Sequence, residues 1–201
     1  MKIYRIIAVT FLGILMYAFA KKCKLMPAAK DFNSEKYFNI PHVYVTHSRN
    51  GSETDVCREY NTTKIPDGNT VTVVFGDYKI GTTSYSETFQ CTNREISGSQ
   101  GQFSSVCSLP DESGRVNRVN YRTSIIATDN EKYVILQRCS QTTGSDNILV
   151  LQTNKDDLEQ GVEDYFSTKN WTIEKWVSRT NVNCYDIKNE ISKKKNVKKM
   201  Y

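Results

Sequence analysis

The sequence predicts an all-β protein, an eight-stranded antiparallel up-and-down barrel with a C-terminal helix packed outside it. Three observations predict this. Eight segments rich in Val, Ile, Tyr, Phe and Thr recur at short intervals; the clusters between them carry turn chemistry; and the spacing of apolar residues turns helical only after Thr153.

The first twenty residues stand apart. Lys2 and Arg5 form a basic leader, Ile6 to Tyr17 an apolar stretch, and Ala18-Phe19-Ala20 a small-residue cleavage site, so residues 1–20 read as a signal peptide. The apolar run is short for a spanning helix, which needs about 20 residues. A secreted, extracellular chain with no membrane span is expected. The globular domain is assigned to residues 21–191 and a basic flexible tail to residues 192–201.

From Lys21 to Glu35 the pattern is non-periodic, with Asn33-Ser34 as cap residues, which predicts an arm with one short helical turn. Tyr37 to His47 then turns into the first strand, Val43–His47. The others follow at Val56–Thr63, Thr70–Lys79, Ser84–Thr92, Gln102–Leu109, Val116–Thr128, Lys132–Ser140 and Asn147–Thr153. Between them Pro66-Asp67-Gly68-Asn69, Gly81-Thr82, Gly98-Ser99-Gln100-Gly101, Ser113-Gly114, Asp129-Asn130 and Gly144-Ser145-Asp146 supply bends and positive φ. Tight turns force antiparallel neighbours. Eight meandering strands leave two open edges unless the sheet closes, so a barrel fits better than a two-layer sandwich. After Thr153, Leu158, Val162, Tyr165 and Phe166 make one apolar helical face, capped by Asp156 or Asp157, with a second short run at Trp171, Ile173, Trp176 and Val177.

Six cysteines follow the signal, an even number in a chain bound for an oxidising compartment, which predicts three disulfides. Cys91 and Cys107 are centred on Ser99, inside a glycine-flanked turn, and are therefore cross-strand partners. The spacing leaves the pairing of Cys23, Cys57, Cys139 and Cys184 open among three choices.

The formal net charge is +5, but without signal and tail the count is 20 basic against 22 acidic residues. Basic character belongs to Lys193–Lys199, and no nucleic-acid partner is implied. Asn50, Asn61 and Asn170 head glycosylation sequons. There is no Gly-x-Ser-x-Gly elbow, His-Glu-x-x-His or phosphate loop, so the chain reads as a non-enzyme without cofactor or metal. On period-2 alternation the inward sets are Val43, Val45 and His47; Val71, Val73 and Phe75; Tyr121, Thr123 and Ile125; and Tyr133, Ile135 and Gln137. Val45, His47, Val73, Phe75, Tyr121 and Tyr133 are the candidate cavity residues.

The signal peptide, the Tyr37-Phe38 to Tyr44-Val45-Thr46-His47 stretch, the eight strands, the C-terminal helix and Asn183-Cys184 together resemble the triabin-like salivary lipocalins of blood-feeding triatomine bugs. Within that family, Lys36-Tyr37-Phe38, Ile40–Gly51, Val56-Cys57-Arg58-Glu59-Tyr60 and Arg179–Cys184 are similar to the triafestin branch. The resemblance implies disulfides Cys23–Cys139 and Cys57–Cys184. Where lipocalins usually carry Gly-x-Trp, this chain has Pro41-His42-Val43, and at the haem-ligand position of the nitrophorins it has Asp77, so haem is not expected. The resemblance implies an inhibitor of host haemostasis that binds contact-phase plasma proteins and blocks the kallikrein–kinin system; a monomer is expected, and loops 49–54 and 110–114 are equal docking candidates. The alternative is a scavenger of an eicosanoid, biogenic amine or ADP that inhibits platelet aggregation.

Overall fold

A computed structural model describes residues 23–40, 42–80, 83–110, 115–182 and 184; the side chains of 77–80, 83–85 and 110 lie outside the description. The signal peptide and the basic tail therefore fall outside the described residues.

After a four-residue helix, Ser34–Tyr37, whose N-cap Asn33 accepts hydrogen bonds from the backbone of Glu35 and Lys36, the chain enters β1, Val43–Ser48. A second single-turn helix, Glu53–Val56, leads into β2, Arg58–Lys64, where the sequence pattern had suggested strand from Val56. Then come β3 (Thr70–Ile80), β4 (Thr83–Glu95), β5 (Gln102–Pro110), β6 (Val116–Thr128), β7 (Tyr133–Ser140) and β8 (Asp146–Gln152). All neighbours pair antiparallel in sequence order, β8 pairs with β1, and β1 with β2, which closes the barrel. A two-residue β9, Val177–Ser178, adds itself to β1 on the outside; such a short strand carries no periodicity in the sequence. The helix Gln160–Lys169 begins later than a cap at Asp156 or Asp157 implies, with Glu159 at its N-cap and Asn170 ending it in the left-handed region at φ 53°.

Two apolar layers result. Inside, Val45, Phe103, Ile125, Val134, Leu136, Leu149 and Leu151 meet residues of the arm; outside, Ile135, Ile148 and Val150 meet Val162, Phe166 and Trp176 of the C-terminal segment. β7 and β8 are therefore buried on both faces.

Arm and barrel are joined at one end. The Ala29 amide donates to the Ile125 carbonyl at 2.7 Å, and the Met26 amide to Gln137 Oε1 at 2.6 Å. Phe32 and Phe38 stack edge-on against Phe103, with centroids 6.1 and 5.8 Å apart, and so fill the closed end that lacks the usual tryptophan. Gly101 turns the chain there at φ +77°, and a Cβ on it would come within 3.0 Å of Ala28.

Three disulfides hold this arrangement. Cys91 is joined to Cys107 across the β4–β5 ladder, Cys23 ties the arm to Cys139 on β7, and Cys57 ties the C-terminal segment through Cys184.

Candidate ligand cavity

β2, β3, β4, β5, β6 and β7 turn alternate residues inward, and above the aromatic plug they leave a cavity of about 80 Å³. Its floor is Tyr37, Phe38 and Phe103; its walls include Tyr60, Val74, Phe89, Ile125 and Leu136. Polar groups are grouped on one side. Thr62 and Thr72 share a hydrogen bond at 2.8 Å, and Asn93 Nδ2 donates to the Thr72 hydroxyl at 2.9 Å. Burial and the neighbouring Tyr60 raise the pKa of the Tyr37 phenol, which stays protonated and able to donate.

Among the described residues one charged side chain lines this space, Arg138. Its guanidinium lies 4.9 Å from the Tyr121 ring centroid, reaches the Tyr60 hydroxyl at 3.4 Å and the Asp55 carboxylate at 3.5 Å. These are long contacts for a group with five N–H donors, so donor capacity remains for a bound anion. No carboxylate lines the cavity among the described residues.

At the open end the barrel widens into a mouth of about 460 Å³, lined by Asn50, Gly51, Asp55, Arg118, Ser140, Thr143 and Asn147 among others. Arg138 and Tyr121 belong to both spaces. The 49–57 loop is folded tightly over this rim. The Asn50 amide donates to Asn147 Oδ1 at 2.9 Å, and any Cβ on Gly51 would collide with Ser48, Asp55 and Asn147. Asp55 also pairs with Arg58, which donates to Glu87 at 2.7 Å; burial opposes the Arg58 charge, but Tyr60, Glu87 and Asp55 together push its pKa up. This places two guanidiniums and two carboxylates in one network beside the mouth.

Of the six residues expected to line a cavity, Tyr121 does so, and Val45 is in the interior core below it. The other four point elsewhere. On β3 the inward set is Thr70, Thr72 and Val74, so Val73 and Phe75 face outward. On β1 a bulge between Val45 and His47 reverses the alternation, and His47 pairs with outward Val150 and with Ser178 of β9. On β7, Val134, Leu136 and Arg138 point in, while Tyr133 and Ile135 pack under the C-terminal helix and Gln137 holds the arm. Arg138, Tyr60 and Phe89 were not singled out from sequence; an arginine in a strand between Leu136 and Cys139 was the available signal.

His42 bonds to the Glu59 carboxylate at 3.1 Å outside the cavity. Asn50, Asn61 and Asn170 are exposed. Asp77 pairs with Ser86 in the β3–β4 ladder, and its side chain lies outside the description. Residues 111–114 of the second candidate docking loop do as well. Among the described residues, no helix is long and apolar enough to cross a membrane and no cluster of His, Cys, Asp or Glu could hold a metal.

Residues 18–165 match the Triabin family model. The chain belongs to the Triabin family. Platelet inhibitor triplatin-2 of Triatoma infestans is 55% identical over 184 residues, covering 89% of this chain and 98% of that one. Pallidipin of Meccus pallidipennis is 49% identical, with coverage of 91% and 98%. Triafestin-1 of Triatoma infestans is 32% identical, with coverage of 76% and 80%, so the words shared with the triafestins accompany a lower identity than that to the other two. Among solved structures, the tryptamine complex of the amine binding protein of Rhodnius prolixus has a TM-score of 0.70 at 19% identity, covering 86% of this chain and 94% of that one. A point mutant of LTBP1 in complex with leukotriene C4 has a TM-score of 0.54 at 19% identity, with coverage of 75% and 91%. Both support the lipocalin-like barrel. Family membership places the Triabin protein among ligand-binding and inhibitor proteins, not enzymes.

Proposed function

We propose that this Triabin protein is secreted and inhibits platelets by capturing a small lipid mediator that carries a carboxylate, of the eicosanoid class. The observation that carries the reading is Arg138: one guanidinium with spare donors, set among tyrosines and apolar walls, with no carboxylate lining the cavity among the described residues. Pockets of this kind bind an apolar body and orient it by a few polar groups. A biogenic amine needs an anion, and Asp55 at the mouth is already shared by Arg58 and Arg138. ADP needs several cations around its phosphates, and among the described residues one, Arg138, lines the cavity. Small-molecule pockets are commonly about 300–1,000 Å³, so a cavity of about 80 Å³ takes only part of such a ligand and the mouth takes the rest. The 55% identity to a protein named as a platelet inhibitor supports the same reading.

Calorimetry against a panel of eicosanoids, tryptamine and ADP, with platelet aggregation in parallel, tests it. One-to-one heat with a carboxylate-bearing eicosanoid, lost in Arg138→Gln, is the expected result; binding of tryptamine alone overturns it. The finer reading, occupation of contact-phase proteins and a block of the kallikrein–kinin system, has its support in the 32% identity to Triafestin-1. Bradykinin release in plasma separates the two: normal release together with eicosanoid binding leaves the cavity reading.

A further inference from the structure

The outer wall of β3 to β6 is a coherent surface that the cavity does not use. Register puts Val71, Thr92, Val106 and Asn120 in one row, Val73, Gln90, Ser108 and Arg118 in the next, and Arg94, Ser104 and Arg122 in a third. Phe75 and Thr88 continue the wall towards the mouth, with Val116 at the same level of β6. All three large apolar side chains that stand exposed among the described residues are on this wall: Phe75 at 40%, Val106 at 42% and Val116 at 61%. Arg118 and Arg122 are exposed beside them, and Lys24 of the arm is exposed next to Cys23, which is bonded to Cys139, the β7 partner of Arg122.

None of the described side chains of this wall is a carboxylate. Among the described side chains, the nearest acids are engaged or set apart. Glu59, on the same face of β2, is buried against His42 and Arg179, and Asp67 lies beyond Arg94, whose Nε donates to Asn69 at 3.3 Å. A face that mixes exposed aromatic and aliphatic groups with arginines, with no acid among its described side chains, has the composition of a protein-binding patch.

We propose that this wall docks an acidic polypeptide segment of a partner protein, its carboxylates on Arg118, Arg122 and Lys24 and an apolar side chain on Val106. The occupant follows from complementarity of charge and apolarity together. A sulfated polysaccharide has nothing to cover Phe75, Val106 and Val116. A second copy of this chain would bring arginines against arginines in a two-fold contact. Four strands about 4.8 Å apart and four rows about 7 Å apart make a patch on the order of 400 Å², about half of what one partner contributes to a standard interface. That suits a segment better than a large globular face. The proposal is independent of the lipid reading, since among the described residues of the wall Arg118 alone lines the mouth.

The test uses the full mature chain and, as probe, an immobilised synthetic peptide alternating Glu with Tyr and Leu. Heparin and a plain poly-Glu peptide run in parallel, with sedimentation of the chain alone. The expected result is saturable binding to the Glu/Tyr/Leu peptide, weakened about tenfold or more by Arg118→Glu with Arg122→Glu. Val106→Ser also weakens it several-fold, while lipid binding is unchanged in Arg122→Glu and in Val106→Ser. These are exposed positions, and unchanged far-ultraviolet dichroism and melting verify folding. Binding of heparin that Val106→Ser leaves untouched, with no preference for the apolar peptide over poly-Glu, overturns the proposal in favour of a polyanion site. Self-association abolished by Val106→Ser, or peptide binding indifferent to all three substitutions, overturns it too.

Discussion

The guanidinium of Arg138 lies over the Tyr121 ring at 4.9 Å, where the cavity meets the mouth. A cation on an aromatic face keeps its in-plane N–H donors free for an anion while the ring holds its position. Arg138→Gln is expected to weaken binding of a carboxylate-bearing eicosanoid by about 10- to 100-fold, the scale of one charge-assisted hydrogen-bonded contact. Asp55 keeps Arg58 as a partner, so the melting temperature should move little. Calorimetry with the free acid and its methyl ester checks this: the ester should bind parent and variant alike.

The register of β3 makes a second prediction. Val74 is buried in the interior while Val73 lies on the outer wall, one residue away. Val74→Ala should cost about 2 kcal/mol of unfolding free energy. Val73→Ala should cost about 0.5 kcal/mol or less. Denaturant melts of the two variants read the difference directly, and equal losses would mean that the strand is turned the other way.

The strands were legible because their turns were legible: Gly68, Gly98, Gly101 and Gly144 all take positive φ between them. Inside and outside were harder to read. β3 carries valines on both faces, and its interior face holds Thr70 and Thr72, whose hydroxyls accept from Asn93 while Thr72 also bonds Thr62 of β2, so hydrophobicity points the wrong way. β7 and β8 are buried on both sides, which removes the alternation that parity needs. In β1 and β6 a single bulge shifts the face, and a bulge leaves no mark in composition. The same holds for Arg138, whose inward direction depends on a parity that only the folded sheet supplies.

The disulfides differ in the length of chain they close. Cys91–Cys107 spans 16 residues and Cys23–Cys139 spans 116. Chain entropy gives about 3 kcal/mol for the first and about 5 kcal/mol for the second. Replacing each pair by serine should therefore lower unfolding free energy in that order, as measured by guanidinium titration. The Cys23/Cys139 variant should also lose more, because its arm carries Phe32 and Phe38 into the closed end.

His47 gives the barrel a pH dependence. Its ring is half-buried on the outer wall, its Nδ1 is 3.2 Å from the Thr46 hydroxyl, and Ser178 of β9 is its neighbour across the ladder. Burial lowers its pKa below the ordinary value of 6.5, and Glu174 only partly opposes this. Lys155, Asp156, Asp157 and Arg179 line the same recess. In the unfolded chain the imidazole takes up a proton as pH falls through about 6.5, while in the folded protein it resists until lower pH. The unfolded state then binds more protons, so the stability contributed by neutral His47 is complete above about 6.5 and declines as pH drops from there towards the folded pKa. His47→Asn keeps a polar group near Thr46 and removes the titration. Melting temperatures of parent and variant followed from pH 8 to pH 5 should converge or cross as the parent loses stability faster, and parallel curves would show that burial of this ring does not couple to folding.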